Sequence, residues 1–387
     1  MSQRNQYLFP FILVTSLFFL WAFLHNINPI LIPHLKKACQ LTDTQSAFVD
    51  TAVYLGYFSI ALPAGWFMHK YGYKKGIMFG LLLYGVGALL FIPAANAREY
   101  SFFLVALFIS AAGATFLETV ANPYIAKLGD AKTAAQRLNF AQSFNGVGAF
   151  VAPIIGGQII LSGVEHSKEE LQQMDAATLA SYLDGEAATV KIPYLVIGAI
   201  VMILLALFFV TKLPEIKEEN GDDGKNSKFS FRVFRHAHLK WAVITQFFYV
   251  GAQVCVFSLF ILFATEAAAI DQIQAADYLS FAALAFLIGR FTGTFLMNYF
   301  SPNKLLTAYG ILATLLCIVA IFSHGIITIY ALIGMSFFMS VMFPTIFSLG
   351  IKDLGSDTEM GSSLIIMAIV GGAVLPRIFG LISDQTG

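Results

Sequence analysis

Apolar segments about 20 residues long recur along almost the whole chain, and they constrain the fold more than any other feature. A helix of this length crosses the hydrocarbon core of a bilayer. Eleven such segments are predicted, at 8–34, 44–69, 75–95, 100–128, 137–163, 190–212, 239–266, 273–300, 303–323, 327–351 and 359–384. The chain is 58% hydrophobic and 12% charged, which is typical of an all-α polytopic membrane protein. The first segment has no small-residue cleavage site, so we expect it to be retained.

The positions of Lys and Arg predict the orientation of these segments. With the amino terminus in the cytoplasm, sixteen of the 23 basic residues fall in cytoplasmic segments. The outer loops hold only five, which are Lys36, Lys37, Arg98, Lys168 and Lys191. This bias follows the positive-inside rule. We therefore expect a multi-pass protein of a bacterial-type inner membrane with a cytoplasmic amino terminus.

Two weak internal repeats indicate two related halves. The pattern P-x-I-x-x-L-G occurs at 123–129 and again at 344–350, and G-x-x-x-x-P-x-x-x-G occurs at 148–157 and at 371–380. Repeats in the same order are typical of parallel halves of six helices each. We predict a first bundle at 1–212, a cytoplasmic linker at 213–238 and a second bundle at 239–387. Only five helices of the second bundle are then present, so a twelfth helix is expected to be missing from this chain.

Composition and motifs exclude several other classes of protein. The net charge is zero, so nothing indicates a nucleic-acid partner, and the three cysteines lack metal or disulfide spacing. Neither H-E-x-x-H nor G-x-S-x-G occurs. We therefore expect no enzymatic activity, no metal and no cofactor. A sugar sensor built like a transporter is kept as a remote alternative.

Two acidic residues lie well inside predicted spans, Glu118 and Asp50. A lone carboxyl in hydrocarbon favours its protonated form, because desolvation penalises the anion. Such a group can carry a coupling proton, and intramembrane ionisable residues are commonly functional. The alternative is a structural carboxyl tied to an Arg or Lys.

Carboxamides cluster near these acids in the sequence. They are Asn26, Asn28, Asn122, Gln142, Asn145, Gln246 and Gln253. Each offers both a donor and an acceptor, which suits the hydroxyls of an uncharged polyol. We predict a shared cavity, and the alternative for each residue is a hydrogen bond between helices. Arg290, near the end of its helix, is expected to snorkel or cap neighbouring helices, with a gating role as the other possibility.

The segment HNINPILIPH at 25–34 interrupts the first span with two prolines and two asparagines. The prolines are expected to break the hydrogen bonding of the helix, which a membrane tolerates only where the carbonyls face protein or a wet cavity. Asn26 and Asn28 are then predicted to face that cavity.

Several motifs resemble those of the major facilitator superfamily. The segment AGWFMHKYGYKKG at 64–76 is similar to the family's G-x-x-x-D-R-x-G-R-K signature, with Gly65, Lys70 and Gly72 in place and His69 where an acid is usual. The blocks LETVANPYIAKLG, RLNFAQSFNGVGA, FYVGAQ, IGRFTGT and PTIFSLGIKDLG resemble the fucose:proton symporter branch, which also holds glucose/galactose and N-acetylglucosamine permeases.

This resemblance implies a twelve-helix transporter of two pseudo-symmetric bundles that imports a monosaccharide, most simply L-fucose, by proton symport. It implies proton coupling by Glu118 and sugar binding by Asn26, Gln142 and Asn145. The family's second coupling acid is replaced by Pro29, and a pocket tyrosine is matched by Phe343. Asp50 is expected to replace the missing acid, because it lies at a similar depth on the adjacent helix.

The resemblance leaves the sugar and the coupling ion open. Glucose, galactose or N-acetylglucosamine could replace fucose, and Asp50 with Thr51 and Asn28 could supply oxygen ligands for sodium. We expect a monomer in the lipid bilayer.

Overall fold

A computed structural model describes residues 3–42, 45, 48–160, 170, 173–214 and 231–386, and within these ranges the regular structure is entirely helical. The first eight helices are α1 (Gln3–His25), α2 (Asn28–Ala38), α3 (Phe48–Tyr71), α4 (Tyr73–Ala97), α5 (Tyr100–Lys127), α6 (Ala134–Ile160), α7 (Ala176–Ala188) and α8 (Lys191–Val210). The following eight are α9 (Ala237–Ser258), α10 (Phe260–Ala268), α11 (Gln272–Leu296), α12 (Pro302–Phe322), α13 (Ile326–Met339), α14 (Met342–Gly350), α15 (Thr358–Met367) and α16 (Gly371–Thr386). Short 3₁₀ turns join several of them.

Nine helical segments in the described ranges are long and apolar enough to cross a membrane. They correspond to nine of the eleven predicted segments. The remaining two are helical but differ in character: the first is broken into α1 and α2, and the fifth, α6, carries Arg137, Asn139, Gln142 and Asn145. An all-helical membrane fold is confirmed.

Several spans are interrupted rather than continuous. The first is broken at Asn26–Ile27, and Pro29 lies in the first turn of α2. The amide of Leu31 still donates to the carbonyl of Ile27 at 3.0 Å. Pro29 has no N–H to donate to the carbonyl of His25, four residues earlier, so the position of the break agrees with the predicted effect of this proline, whereas α2 continues through Pro33.

Charge distinguishes the two ends of the bundle. One end, called the basic face from here on, holds the start of α1, the α3–α4 turn with Lys70, Lys74 and Lys75, and Lys127. At the other end, called the opposite face, α7 packs on the first half. Its Glu186 pairs with Lys37 at 3.1 Å, and Asp184 pairs with Arg98 at 3.1 Å.

Small residues allow the helices to approach closely. A Cβ atom added to Gly113 of α5 would collide with the backbone of Tyr84 on α4, and one added to Gly65 of α3 would meet Ser363 and Glu359 near α15. Gly72, between α3 and α4, has a φ of +84°, which glycine adopts without steric cost. The signature residues Gly65 and Gly72 therefore have structural roles here. Lys70 is exposed and lies over the rings of Trp66 and Tyr71.

We predict that Gly113→Ala destabilises the protein by about 1–3 kcal/mol, because overpacking against the Tyr84 backbone cannot be relieved by a side-chain rotation. Thermal unfolding in detergent measures the effect. Gly310→Ala is the matched control, since a Cβ atom on this α12 glycine meets nothing within 4 Å. Equal melting temperatures for the two variants would contradict the close contact between α4 and α5.

Candidate functional site

Glu118 lies deep inside the first half of the protein. It belongs to the run 111–126 of α5, in which every residue is buried, and it is only 7% exposed. The hydroxyl of Tyr57 and the indole of Trp21 lie against its carboxyl group. Its Oε2 atom makes no hydrogen bond with the described residues. A buried acceptor without a partner is costly, so this oxygen is placed to bind a proton or a polar ligand.

One helical turn further along α5, Asn122 is fully buried. Its Oδ1 accepts a hydrogen bond of 3.1 Å from Nε2 of Gln142 on α6. Its Nδ2 finds no acceptor among the residues that the structure describes. Glu118, Asn122 and Gln142 thus form a continuous polar strip on two helices of the first half.

Arg290 of α11 crosses from the second half to this strip. Its Nη1 donates to the main-chain carbonyl and to Oε1 of Gln142, and to Oδ1 of Asn145 at 3.1 Å. Its Nε donates to the carbonyl of Ser340 at 3.1 Å, where α13 ends. At 5% exposure the side chain does not snorkel, so that expectation is wrong, whereas the capping role is confirmed. No carboxylate pairs with Arg290 in the described ranges.

More hydrogen bonds join the two halves near the same level. Gln136 of α6 donates to Oδ1 of Asn298 at 2.8 Å, and Asn139 donates to the hydroxyl of Thr345 at 3.1 Å. These contacts lie on the basic-face side of Gln142, since α6 starts at the basic face. The two halves are therefore held together at this face.

Contacts of α15 with the first half also hold the two halves together at the basic face. The hydroxyl of Ser362 donates to the carbonyl of Thr119 at 2.7 Å. His69 Nδ1 of α3 lies 3.9 Å from Oε2 of Glu359. His69, which stands at the usual position of an acid, is thus opposite a carboxylate supplied by the other half.

Gln246 of α9 is the clearest polar candidate from the second half. It is fully buried, and neither its Oε1 nor its Nε2 makes a hydrogen bond in the described part of the chain. Gln253, two turns further, is only partly buried. Phe343, at the start of α14, is buried next to Tyr249. Both the oxygen and the nitrogen of the Gln246 side-chain amide are therefore placed to bind a polar ligand.

The asparagines of the first span are less informative. Nδ2 of Asn26 donates to the carbonyl of Ala22 in its own helix at 2.8 Å, so this donor serves the helix break. The side chain of Asn28 lies outside the described residues. Asp50 is exposed in the first turn of α3 at the opposite face, beside Thr51, whose hydroxyl accepts a bond of 2.9 Å from Arg377.

Trp21 and Tyr57 are site residues that sequence patterns did not single out. Each is a large, buried side chain with a polar atom directed at Glu118. One signal was present, because Tyr57 lies seven residues after Asp50 and so shares its helix face. Nothing in the sequence marked Trp21 among the many aromatic residues.

Comparisons with known proteins fit this architecture. The family model of the Major Facilitator Superfamily matches residues 11–381. The chain is 45% identical over 391 residues to the L-fucose-proton symporter of Escherichia coli (strain K12), covering 100% of this chain and 89% of that protein. It is 38% identical over 388 residues to the glucose/galactose transporter of Brucella abortus biovar 1 (strain 9-941), covering 100% and 90%.

Solved structures agree with the sequence relatives. The crystal structure of FucP in the outward conformation superposes with a TM-score of 0.90 at 44% identity, covering 99% of this chain and 94% of that one. The proton:xylose symporter XylE shares the fold alone, with a TM-score of 0.70 at 12% identity. A two-half helical bundle with a buried polar strip between the halves, matched by a family model over nearly its whole length, places this chain in the major facilitator superfamily.

Proposed function

We propose that this protein imports a monosaccharide, L-fucose, together with a proton by alternating access. The observation that carries the proposal is the buried carboxyl of Glu118 close to unpartnered amide atoms of Asn122, with those of Gln246 supplied by the other half. Buried amides suit the hydroxyls of a sugar, and a buried carboxyl suits a proton. The similarity to the L-fucose-proton symporter of Escherichia coli supports both assignments.

In this proposal the basic face is cytoplasmic, since membrane proteins retain Lys and Arg on that side. The amino terminus is then cytoplasmic as well, and the membrane is a bacterial inner membrane. Closure of the basic face makes the structure outward-facing, in keeping with its similarity to FucP in the outward conformation. The bundles are 1–212 and 239–387, joined by 213–238, of which 215–230 lie outside the described residues.

The sugar binds between the halves. Asn122 and Gln246 supply hydrogen bonds to the sugar. When the halves move, further hydrogen bonds come from Gln142, Asn145 and Gln253. The first span contributes Asn26 and Asn28. Phe343 packs against the apolar face of the sugar ring, a common arrangement in ligand pockets. Because Gln142 and Asn145 hold Arg290 in this conformation, sugar hydroxyls compete with the guanidinium for the same oxygens.

Arg290 links the sugar to the proton. Its guanidinium lies within electrostatic reach of Glu118. A protonated Glu118 leaves Arg290 to the carboxamides and favours the outward-facing arrangement. Sugar binding and ionisation of Glu118 both weaken the hydrogen bonds between Arg290 and α6. A ligand shifts the equilibrium between outward-facing and inward-facing states only if it interacts differently with the two states, and this competition for Arg290 supplies that difference.

Asp50 serves as the outer proton acceptor in place of the acid that is absent at Pro29. Its exposed position at the opposite face gives access to water. It lies seven residues from Tyr57, about 10 Å along the helix, on the same face of α3. The protein works as a monomer in the bilayer.

We expect uptake into proteoliposomes to identify sugar and ion together. L-fucose, glucose, galactose and N-acetylglucosamine are each offered with an imposed pH or sodium gradient. Accumulation of fucose driven by the pH gradient alone is the predicted result. A preference for glucose and galactose, the sugars in the name of the Brucella relative, would show that fucose is not the substrate. Accumulation driven by the sodium gradient would show that sodium, and not the proton, is the coupling ion.

We predict that Glu118→Gln abolishes accumulation driven by a pH gradient and partly keeps sugar exchange, because the amide binds sugar without carrying a proton. Asp50→Asn is expected to impair accumulation while leaving sugar affinity intact. Counterflow and gradient-driven uptake are measured side by side, with Asp277→Asn, an exposed α11 carboxylate, as the control. Full accumulation by Glu118→Gln would refute its coupling role, and full accumulation by Asp50→Asn would refute the outer acceptor.

A further inference from the structure

A small cavity lies inside the first half, enclosed by α1, α3, α4, α5 and α8. Its volume is about 30 Å³. The polar and titratable side chains on its wall are Trp21, His25, Tyr57, Tyr84, Ser110 and Tyr194, and the rest of the lining is apolar. A water molecule needs roughly 10–15 Å³ measured in this way, so the cavity has room for about two. A monosaccharide does not fit.

A polar atom on the wall indicates that the cavity is wet. Oγ of Ser110 is buried and makes no hydrogen bond with the residues that the structure describes. Buried donors and acceptors are seldom left unsatisfied, and water commonly satisfies them where a polar cavity is large enough. A water in the cavity would bond this hydroxyl.

The cavity connects His25 with Glu118. The ring of His25 stands edge-on to that of Tyr57, with centroids 6.2 Å apart and an interplanar angle of 87°. The hydroxyl of Tyr57 in turn contacts the carboxyl of Glu118. His25 ends α1 and is partly exposed, whereas Glu118 is almost completely buried. A chain of exchangeable protons thus runs from a partly exposed imidazole to the buried carboxyl.

We propose that this cavity is a hydrated proton passage, in which His25 receives the coupling proton and passes it through water and Tyr57 to Glu118. One imidazole nitrogen binds the incoming proton and the other releases one to a cavity water. The water protonates the hydroxyl oxygen of Tyr57 as that hydroxyl gives its own proton to Glu118. Each relay group keeps its charge, His25 ends as its other tautomer and returns by exchange with water or rotation of the ring before the next cycle, and Glu118 gains one proton.

This inference rests on the proposed function, and it separates the path of the proton from that of the sugar. The passage lies within the first half, whereas the sugar binds between the halves, so the two paths meet only at Glu118. The titratable groups that face His25 across the cavity are Tyr57, Tyr84 and Tyr194, with Glu118 behind Tyr57. No Asp, Glu, Lys or Arg of the described residues lines the cavity. Asp50 remains the outer acceptor, and His25 is the next carrier inward.

The test compares His25→Gln and Tyr57→Phe in proteoliposomes. Each variant keeps a side chain of similar shape and loses one proton carrier. We expect sugar-induced alkalinisation of the outer medium to slow by about tenfold or more, the scale of a lost proton-transfer group. In His25→Gln, sugar counterflow and the sugar concentration for half-maximal exchange stay near those of the unmodified protein. The double variant is no slower than the slower single variant, because the two groups act in series.

His324→Gln, in an exposed loop at the opposite face, is the matched control and keeps normal coupling. Hydroxyl-radical footprinting checks the water directly, and oxidation of Trp21 and Tyr57 despite their burial is the expected result. Normal alkalinisation by His25→Gln would overturn the inference, as would a parallel loss of counterflow. Absence of alkalinisation in the unmodified protein would instead refute proton symport, so the two failures are distinguishable.

Discussion

A fully buried guanidinium holds the two halves of this protein together, and much of the architecture follows from its needs. Arg290 sits in a low-dielectric bundle, where an unpaired charge costs several kcal/mol. Oxygens from both halves satisfy it: the carbonyl of Ser340 on one side, and Gln142 and Asn145 on the other. Neither half can satisfy Arg290 alone. Closure of the basic face is therefore tied to this one side chain.

The same constraint underlies the proposed switch between two arrangements of the polar strip. In that proposal a sugar hydroxyl uses the carboxamide oxygens that bond Arg290 in this structure, so the sugar and the guanidinium compete. Glu118 lies one turn before Asn122 and close enough to feel the charge of Arg290. In the proposed mechanism, a change of charge at Glu118 acts directly on Arg290 and through it on the contact between the halves.

Much of the fold was predictable from local sequence. Apolar runs predicted the spans because backbone hydrogen bonds must be made within the segment in lipid. Proline also marks the breaks. The carbonyl of Ser340 is left free because Pro344, four residues later, has no N–H to donate. The sequence did not predict the partner of this carbonyl, Arg290, which lies fifty residues away. For the site, Glu118 and Asn122 stood out as polar residues in an apolar helix, whereas the partners of Arg290 depend on how two halves pack.

Spin labels across the basic face test the account most directly. Labels at Lys132 and Lys352, both exposed, report the separation of the two halves there once Cys39, Cys255 and Cys317 are replaced by Ser. We predict a short distance in the sugar-free protein, a longer population on adding sugar, and the longer population without sugar in Arg290→Leu. An unchanged short distance in Arg290→Leu, in a variant that melts like the unmodified protein, would contradict the claim that Arg290 closes this face.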